Sequence, residues 1–158
     1  QIGGYLSDLT TEDNLNAIGE ILIKDLKYRK SKIEELISKF ELDAVRKVEA
    51  KFLSGGMKRR LVISMSLLGD PEILLMDEPL AALDPQTIQM LQSIIIRLQS
   101  EYNLTILITD HQARDLLVVC DKAVILSNSK IVAEGTPNQL MKNENAAKYY
   151  FGENFKFN

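Results

Sequence analysis

Apolar residues recur along this chain with one of two periods, and those periods predict its elements. Leu15, Ile18 and Leu22 share one face of a helix over residues 11–22, with Thr and Asp residues available as caps. Ile33, Ile37 and Phe40 mark a second helix, and Leu42, Val45 and Val48 a short third one. Leu61, Met65 and Leu68 give a fourth, closed by Gly69 just past its end and Pro71 beyond. Ile73 to Met76 is instead an unbroken apolar run, which suits a strand covered on both faces, as in a parallel sheet. Asp84-Pro85 pairs an N-cap acid with Pro at the first helical position, and Ile88, Leu91, Ile95 and Leu98 follow in helical register. Leu104 to Ile108 reads as a second buried strand. Strand, helix and strand in that order form a βαβ unit with parallel strands and a right-handed crossover, so the expected class is α/β. Beyond it the pattern predicts a helix over residues 112–120, with Ala113, Leu116, Leu117 and Cys120 inward. Two short strands, 123–126 and 130–134, flank a Ser127-Asn128-Ser129 turn, and a helix is opened by Thr136-Pro137-Asn138-Gln139.

This topology has chemical consequences. Asp77 and Glu78 end the first strand of the βαβ unit, and Thr109-Asp110-His111 end the second. Both groups fall at the carboxyl edge of the sheet, where open α/β folds bind ligands. A different kind of site is predicted at residues 54–60. Ser54 is a good N-cap, Gly55 and Gly56 leave backbone amides uncovered, and Lys58, Arg59 and Arg60 crowd the positive end of the helix dipole. Free N–H groups and positive charge together make a phosphate seat, although a solvated basic helix start has the same composition.

Composition narrows the class. With 158 residues, 46% hydrophobic and 26% charged, the chain has the make-up of one soluble globular domain with a real core. A net charge of −3 argues against nucleic acid as a partner. The single cysteine, Cys120, excludes a disulfide framework and reads as a small buried hydrophobe. No apolar run approaches a membrane span, so work at a membrane would proceed only indirectly, by docking on another subunit. The basic run Lys24, Lys27, Arg29, Lys30 and Lys32 around Asp25 reads as a solvated loop and helix edge.

Leu53-Ser54-Gly55-Gly56 resembles the signature of ABC-transporter ATPases, Ile73 to Pro79 resembles their Walker B strand with its catalytic acid, and Ala81-Ala82-Leu83-Asp84 their D-loop. The three occur in the family's order and spacing, and the resemblance extends over nearly the whole chain. It implies a partial P-loop NTPase fold, a parallel sheet flanked by helices, with a small helical subdomain. Residues 1–10 would come from the N-terminal sheet region, 11–52 from the helical subdomain, 53–142 from the Walker B, D-loop and switch-histidine half of the core, and 143–158 from a C-terminal helix and tail. The resemblance also implies roles. Asp77 would hold Mg²⁺, Glu78 would polarise the attacking water and His111 would reach the γ-phosphate. Ser54, Gly55 and Gly56 would bind ATP held by a second copy in a head-to-tail homodimer, with Asp84 acting across that interface. Transmembrane transporter subunits would be the partners, on the cytoplasmic face of the inner membrane. Within the family, Leu107 to His111, Val119-Cys120-Asp121 and Tyr150 to Phe155 look most like the lipopolysaccharide-export ATPases, with branched-chain amino-acid importers as the alternative.

The sequence departs from the family pattern in three places. None of the eight glycines precedes a Lys-Ser or Lys-Thr pair, so there is no Walker A phosphate loop and the chain as it stands is expected to be inactive alone. No glutamine loop precedes the helical region, and Met57 stands where the signature usually has Gln or Glu. Two other classes stay open on these residues: a chromosome-maintenance or DNA-repair ATPase head, and a non-catalytic interaction segment.

Overall fold

The computed structural model describes residues 4–146, so Tyr150 to Phe155 and most of the expected C-terminal helix and tail lie outside the described residues. The chain divides into two compact units, one of residues 1–74 with 103–107 and one of residues 75–102 with 108–158.

The first unit is built on α1 (Thr11–Leu22), α2 (Leu26–Lys39) and α3 (Gly55–Ser66). Thr10 caps α1 by accepting from the Asp13 N–H, and Asp25 caps α2 by accepting from the Tyr28 N–H. Leu15, Leu36, Ile37, Phe40 and Leu61 are fully covered. Gly19 lets α1 and α2 approach closely: a Cβ there would stand 3.2 Å from the Arg29 side chain and 3.3 Å from that of Ile33. Leu22, expected inward, is half exposed, because it is the last residue of α1 and only its tip lies over Gly69. The expected third helix is a 3-10 turn at Asp43–Val45, with a second at Ala50–Phe52.

A buried polar residue organises the entry to this unit. Asn14 is fully covered; its amide donates to the carbonyls of Leu6, Leu9 and Thr10, and its Oδ1 accepts from the Leu6 N–H at 2.7 Å. Residues 6–11 then run beside residues 48–51: Ala50 N–H donates to Leu9, Lys51 N–H to Ser7 and Thr11 N–H to Val48. The segment leading into Leu53-Ser54 is therefore stitched to the segment that enters α1.

The basic run is less solvated than its composition predicts. Lys32 is buried, and its ammonium lies 2.7 Å from Asp70 Oδ1, while the Tyr28 hydroxyl donates to Asp70 Oδ2 at 2.5 Å. Asp70 itself, not Gly69, takes the left-handed conformation after α3, at φ 46°. Burial raises the Asp70 carboxyl, and the bonds from Lys32 and Tyr28 more than reverse this, so its pKa lies below the ordinary aspartate value. A depressed folded-state pKa stabilises the fold above the unfolded value, about 3.9 for aspartate, and that contribution is lost as pH falls through the folded pKa. Asp70→Asn, which tolerates the same backbone conformation, should therefore melt below wild type at neutral pH, with the gap closing below about pH 4. A gap independent of pH would show that the carboxylate charge is irrelevant.

β1 (Ile73–Asp77) pairs with β2 (Thr105–Thr109). Thr105 N–H donates to the Glu72 carbonyl at one end and Glu78 N–H to the Thr109 carbonyl at the other, so the strands run parallel, as a βαβ connection requires. The apolar run in β1 is not covered on both sides. Leu74 and Met76 are buried, whereas Ile73 and Leu75 are 61% and 70% exposed, and Leu107 of β2 is 59% exposed. Strand side chains alternate, and the described chain packs against only one of the two faces.

In the second unit α4 (Pro85–Tyr102) buries Ile88, Leu91, Ile94, Ile95 and Leu98. α5 (Ala113–Leu117) is shorter than the periodicity predicts, and Cys120 lies beyond it. β3 (Ala123–Ser127) and β4 (Lys130–Gly135) form an antiparallel hairpin whose turn residues, Asn128 and Ser129, are both left-handed. α6 (Pro137–Met141) starts with a full capping box between Thr136 and Gln139, and α7 (Glu144–Ala146) follows. Gly135 is required before that box, because its φ is +152° and a Cβ would stand 2.8 Å from Gln139 Oε1. Leu117, Ile125, Ala133, Leu140 and Ala146 form the core, with Cys120 packed against it. Burial raises the Cys120 thiol pKa, consistent with an inert, packing cysteine. Among the described residues no helix is long and apolar enough to cross a membrane.

Candidate active site

The carboxyl edge of the strand pair gathers the expected acids and the only histidine. His111 Nε2 lies 2.5 Å from Glu78 Oε1, with the imidazole largely exposed and the carboxylate partly so. The two were expected at one edge from topology alone, and the structure places them in direct contact. Glu78 has φ 46°, a conformation that costs a non-glycine residue about 1–2 kcal/mol. Such strain persists only where neighbouring bonds hold it, and it concentrates at functional sites. Here the Glu78 N–H ends the ladder on the Thr109 carbonyl at 2.8 Å, and the Glu78 carbonyl accepts from Ala81 N–H.

Asp77 is exposed beside Glu78, and its carboxylate accepts a bond from the Thr109 hydroxyl. A carboxylate and a hydroxyl at a sheet edge are hard oxygen donors, the kind Mg²⁺ takes while keeping several waters. No group of three or more metal-ligating side chains occurs among the described residues. Asp84 lies in the same unit, but its carboxylate caps α4: it accepts from the Gln86 and Thr87 amides and from the Thr87 hydroxyl. The Thr87 hydroxyl, then the backbone bonds, hold its pKa below the usual aspartate value.

Sequence reasoning missed Asp110. Its Oδ2 accepts from Leu80 N–H at 3.2 Å and its Oδ1 from Gln112 N–H at 2.9 Å. The available signal was position: a carboxylate directly before a histidine at a strand's end can bond the backbone two residues on.

Ser54, Gly55 and Gly56 lie in the first unit, at the start of α3. Ser54 caps the helix by accepting from Met57 N–H at 3.3 Å, as expected. The basic cluster behind it is a correction. Arg60 is buried and donates to the Phe40 and Glu41 carbonyls and the Glu41 carboxylate, and Lys58 reaches back to the Lys51 carbonyl at 3.2 Å. On a helix of 3.6 residues per turn, residue 60 faces the core rather than the N-terminal rim. Of the cations expected at this helix start, Arg60 is therefore taken up by the fold and Lys58 is bonded to the Lys51 carbonyl.

A family profile described as ABC transporter matches residues 3–81. The chain is 41% identical over 150 residues to a Haemophilus influenzae protein named lipopolysaccharide export system ATP-binding protein LptB, covering 94% of this chain and 61% of that protein. It is 36% identical over 150 residues to the Escherichia coli protein of the same name, with the same two coverages. The chain thus spans about three-fifths of the length of these curated relatives. Among solved structures, cbiO1 from Clostridium perfringens, part of the ABC transporter complex cbiONQ, superposes with a TM-score of 0.80 at 20% identity, covering 91% of this chain and 57% of that one.

Proposed function

Because the chain belongs to the ABC transporter family, we propose that it is the signature and Walker B portion of an ATP-hydrolysing transporter subunit. The observation that carries this reading is the Glu78–His111 contact at the carboxyl edge, beside Asp77. Phosphoryl transfer to water requires positioning and charge neutralisation more than covalent help. Glu78 takes a proton from the attacking water as general base, and His111 holds that carboxylate in place and reaches the γ-phosphate. Asp77, bonded by the Thr109 hydroxyl, would help hold the Mg²⁺ that accompanies ATP. Ser54 and the Gly55 and Gly56 amides receive the γ-phosphate of nucleotide bound by a second copy, which makes a head-to-tail dimer with two ATP molecules the working unit. Asp84 lies at that interface, where the α4 cap holds its backbone. The bare apolar face of Ile73, Leu75 and Leu107 suits further sheet and helix structure from a longer subunit, which would also supply the phosphate loop.

The cargo we assign is lipopolysaccharide, exported through transmembrane partner subunits from the cytoplasmic face of the inner membrane. Support comes from the relatives' names and from identities of 36–41% across 94% of the chain.

Two measurements test the reading in sequence. The complete subunit should hydrolyse ATP and dimerise on adding it, and a subunit that does neither is not an ATPase. It should also restore lipopolysaccharide export when it replaces the resident ATPase of an export system. Hydrolysis without restored export would leave an ABC ATPase of a different cargo.

A further inference from the structure

We infer that Asp110 is a positioning residue that holds Glu78 and His111 in register with one carboxylate. The inference rests on the ATPase reading above for its kinetic consequence, but its geometry stands independently. Glu78 and His111 sit in two separate loops. The loop after β1 carries two left-handed non-glycine residues, Glu78 at φ 46° and Ala82 at φ 57°, a backbone that persists only where neighbouring bonds hold it. His111 is 84% exposed, and burial does little to fix its rotamer. Asp110 bonds both loops at once. Its Oδ1 accepts from Gln112 N–H, closing a turn of which His111 is the central residue. Its Oδ2 accepts from Leu80 N–H, two residues past Glu78, where the Leu80 side chain is fully buried and anchors the loop. The Thr109 carbonyl, one residue before, receives the Glu78 N–H. Three consecutive residues thus act on one pair: Thr109 fixes the Glu78 backbone, Asp110 ties the two loops, and His111 meets the Glu78 carboxylate.

The choice of a carboxylate follows from the number of acceptors needed. Two amides point at one side chain, so two acceptor oxygens are required. Asparagine offers one oxygen and an NH₂ group that faces the second amide donor to donor. Asp110→Asn is nearly isosteric and should therefore fail at one of the two bonds, whereas a side chain that merely filled space would tolerate it.

In the complete subunit, Asp110→Asn and Asp110→Ala should each lower kcat for ATP by about 10- to 100-fold, the scale of loss when a reacting group is misplaced by about an ångström. KM for ATP should change by less than about twofold, because Asp110 acts on the reacting arrangement rather than on nucleotide binding. The imidazole Cε1–H resonance of His111, assigned by its disappearance in His111→Gln, should shift in both variants. In the unmodified protein the Leu80 and Gln112 amides should be protected from hydrogen exchange, a measurement that needs no variant to fold. An Asp110→Asn subunit with wild-type kcat and an unmoved His111 resonance would overturn the inference, as would unprotected Leu80 and Gln112 amides. If the wild-type subunit does not hydrolyse ATP, the ATPase reading falls, and the His111 resonance with amide exchange still decides whether Asp110 couples the two loops.

Discussion

Glu78→Gln in the complete subunit should bind ATP, dimerise and all but stop turning over, with kcat reduced by about 10²–10⁴, the usual contribution of a general base. Glutamine keeps the side-chain length and an Oε1 acceptor, so it can still receive a bond from the His111 ring, which lies 2.5 Å from Glu78 Oε1 in the native site. The strained backbone at φ 46° and its bond to the Thr109 carbonyl are main-chain features and survive the change. What is lost is the ability to accept a proton from water. KM for ATP should therefore stay near wild type while kcat collapses, because the interaction is made in the transition state and not in the ground state. Steady-state hydrolysis beside nucleotide-binding and light-scattering measurements separates these effects. Normal turnover by the variant would remove Glu78 from the role of base and leave the contact with His111 as a structural one.

The second large effect falls on stability, at a residue far from the acid edge in sequence. Asn14→Leu should destabilise the fold by about 3 kcal/mol, since each buried polar group left unpaired costs about 1–3 kcal/mol. Leucine has the same number and branching of side-chain heavy atoms as asparagine but is bulkier and cannot replace its bonds, so crowding at this fully covered site adds to the loss. Leu6 would lose partners for both its N–H and its carbonyl, and Leu9 and Thr10 would each lose a donor. The loss should spread along the stitched segments, because Ser7 and Leu9 receive the Lys51 and Ala50 amides just before the signature residues. Urea unfolding gives the magnitude, and amide exchange gives the place: residues 6–11 and 48–52 should exchange faster together. A loss below about 1 kcal/mol would show that this polar hub is solvated rather than buried. Exchange confined to residues 6–11 would show that the two segments are not coupled.

Much of the secondary structure was legible because it rests on local physics. Helical period placed α1 at Thr11–Leu22, and the Asp84-Pro85 and Thr136-Pro137 pairs marked helix starts that the structure keeps. Capping is a contact between residues two or three apart, so a sequence can state it. The meeting of Glu78 and His111 was legible for a different reason: parallel strands joined by one helix must end at the same edge.

By itself, then, the amino-acid order determined the longer elements, several of their caps, the parallel pairing and the family, each of which depends on near neighbours or on chain direction. Tertiary structure alone decided which polar groups are consumed by the fold and which remain at the site. Arg60 and Lys32 looked like surface cations and turned out to be buried, bound to Glu41 and Asp70. Ile73 and Leu75 looked like core and turned out exposed. Asp110, given no role of its own from the sequence, accepts from two amides, Leu80 in one loop and Gln112 in the other. In each case the residue's partner, or its missing cover, is set by distant parts of the chain. A charge or a methyl group has no fixed role until packing decides whether water or another side chain stands beside it.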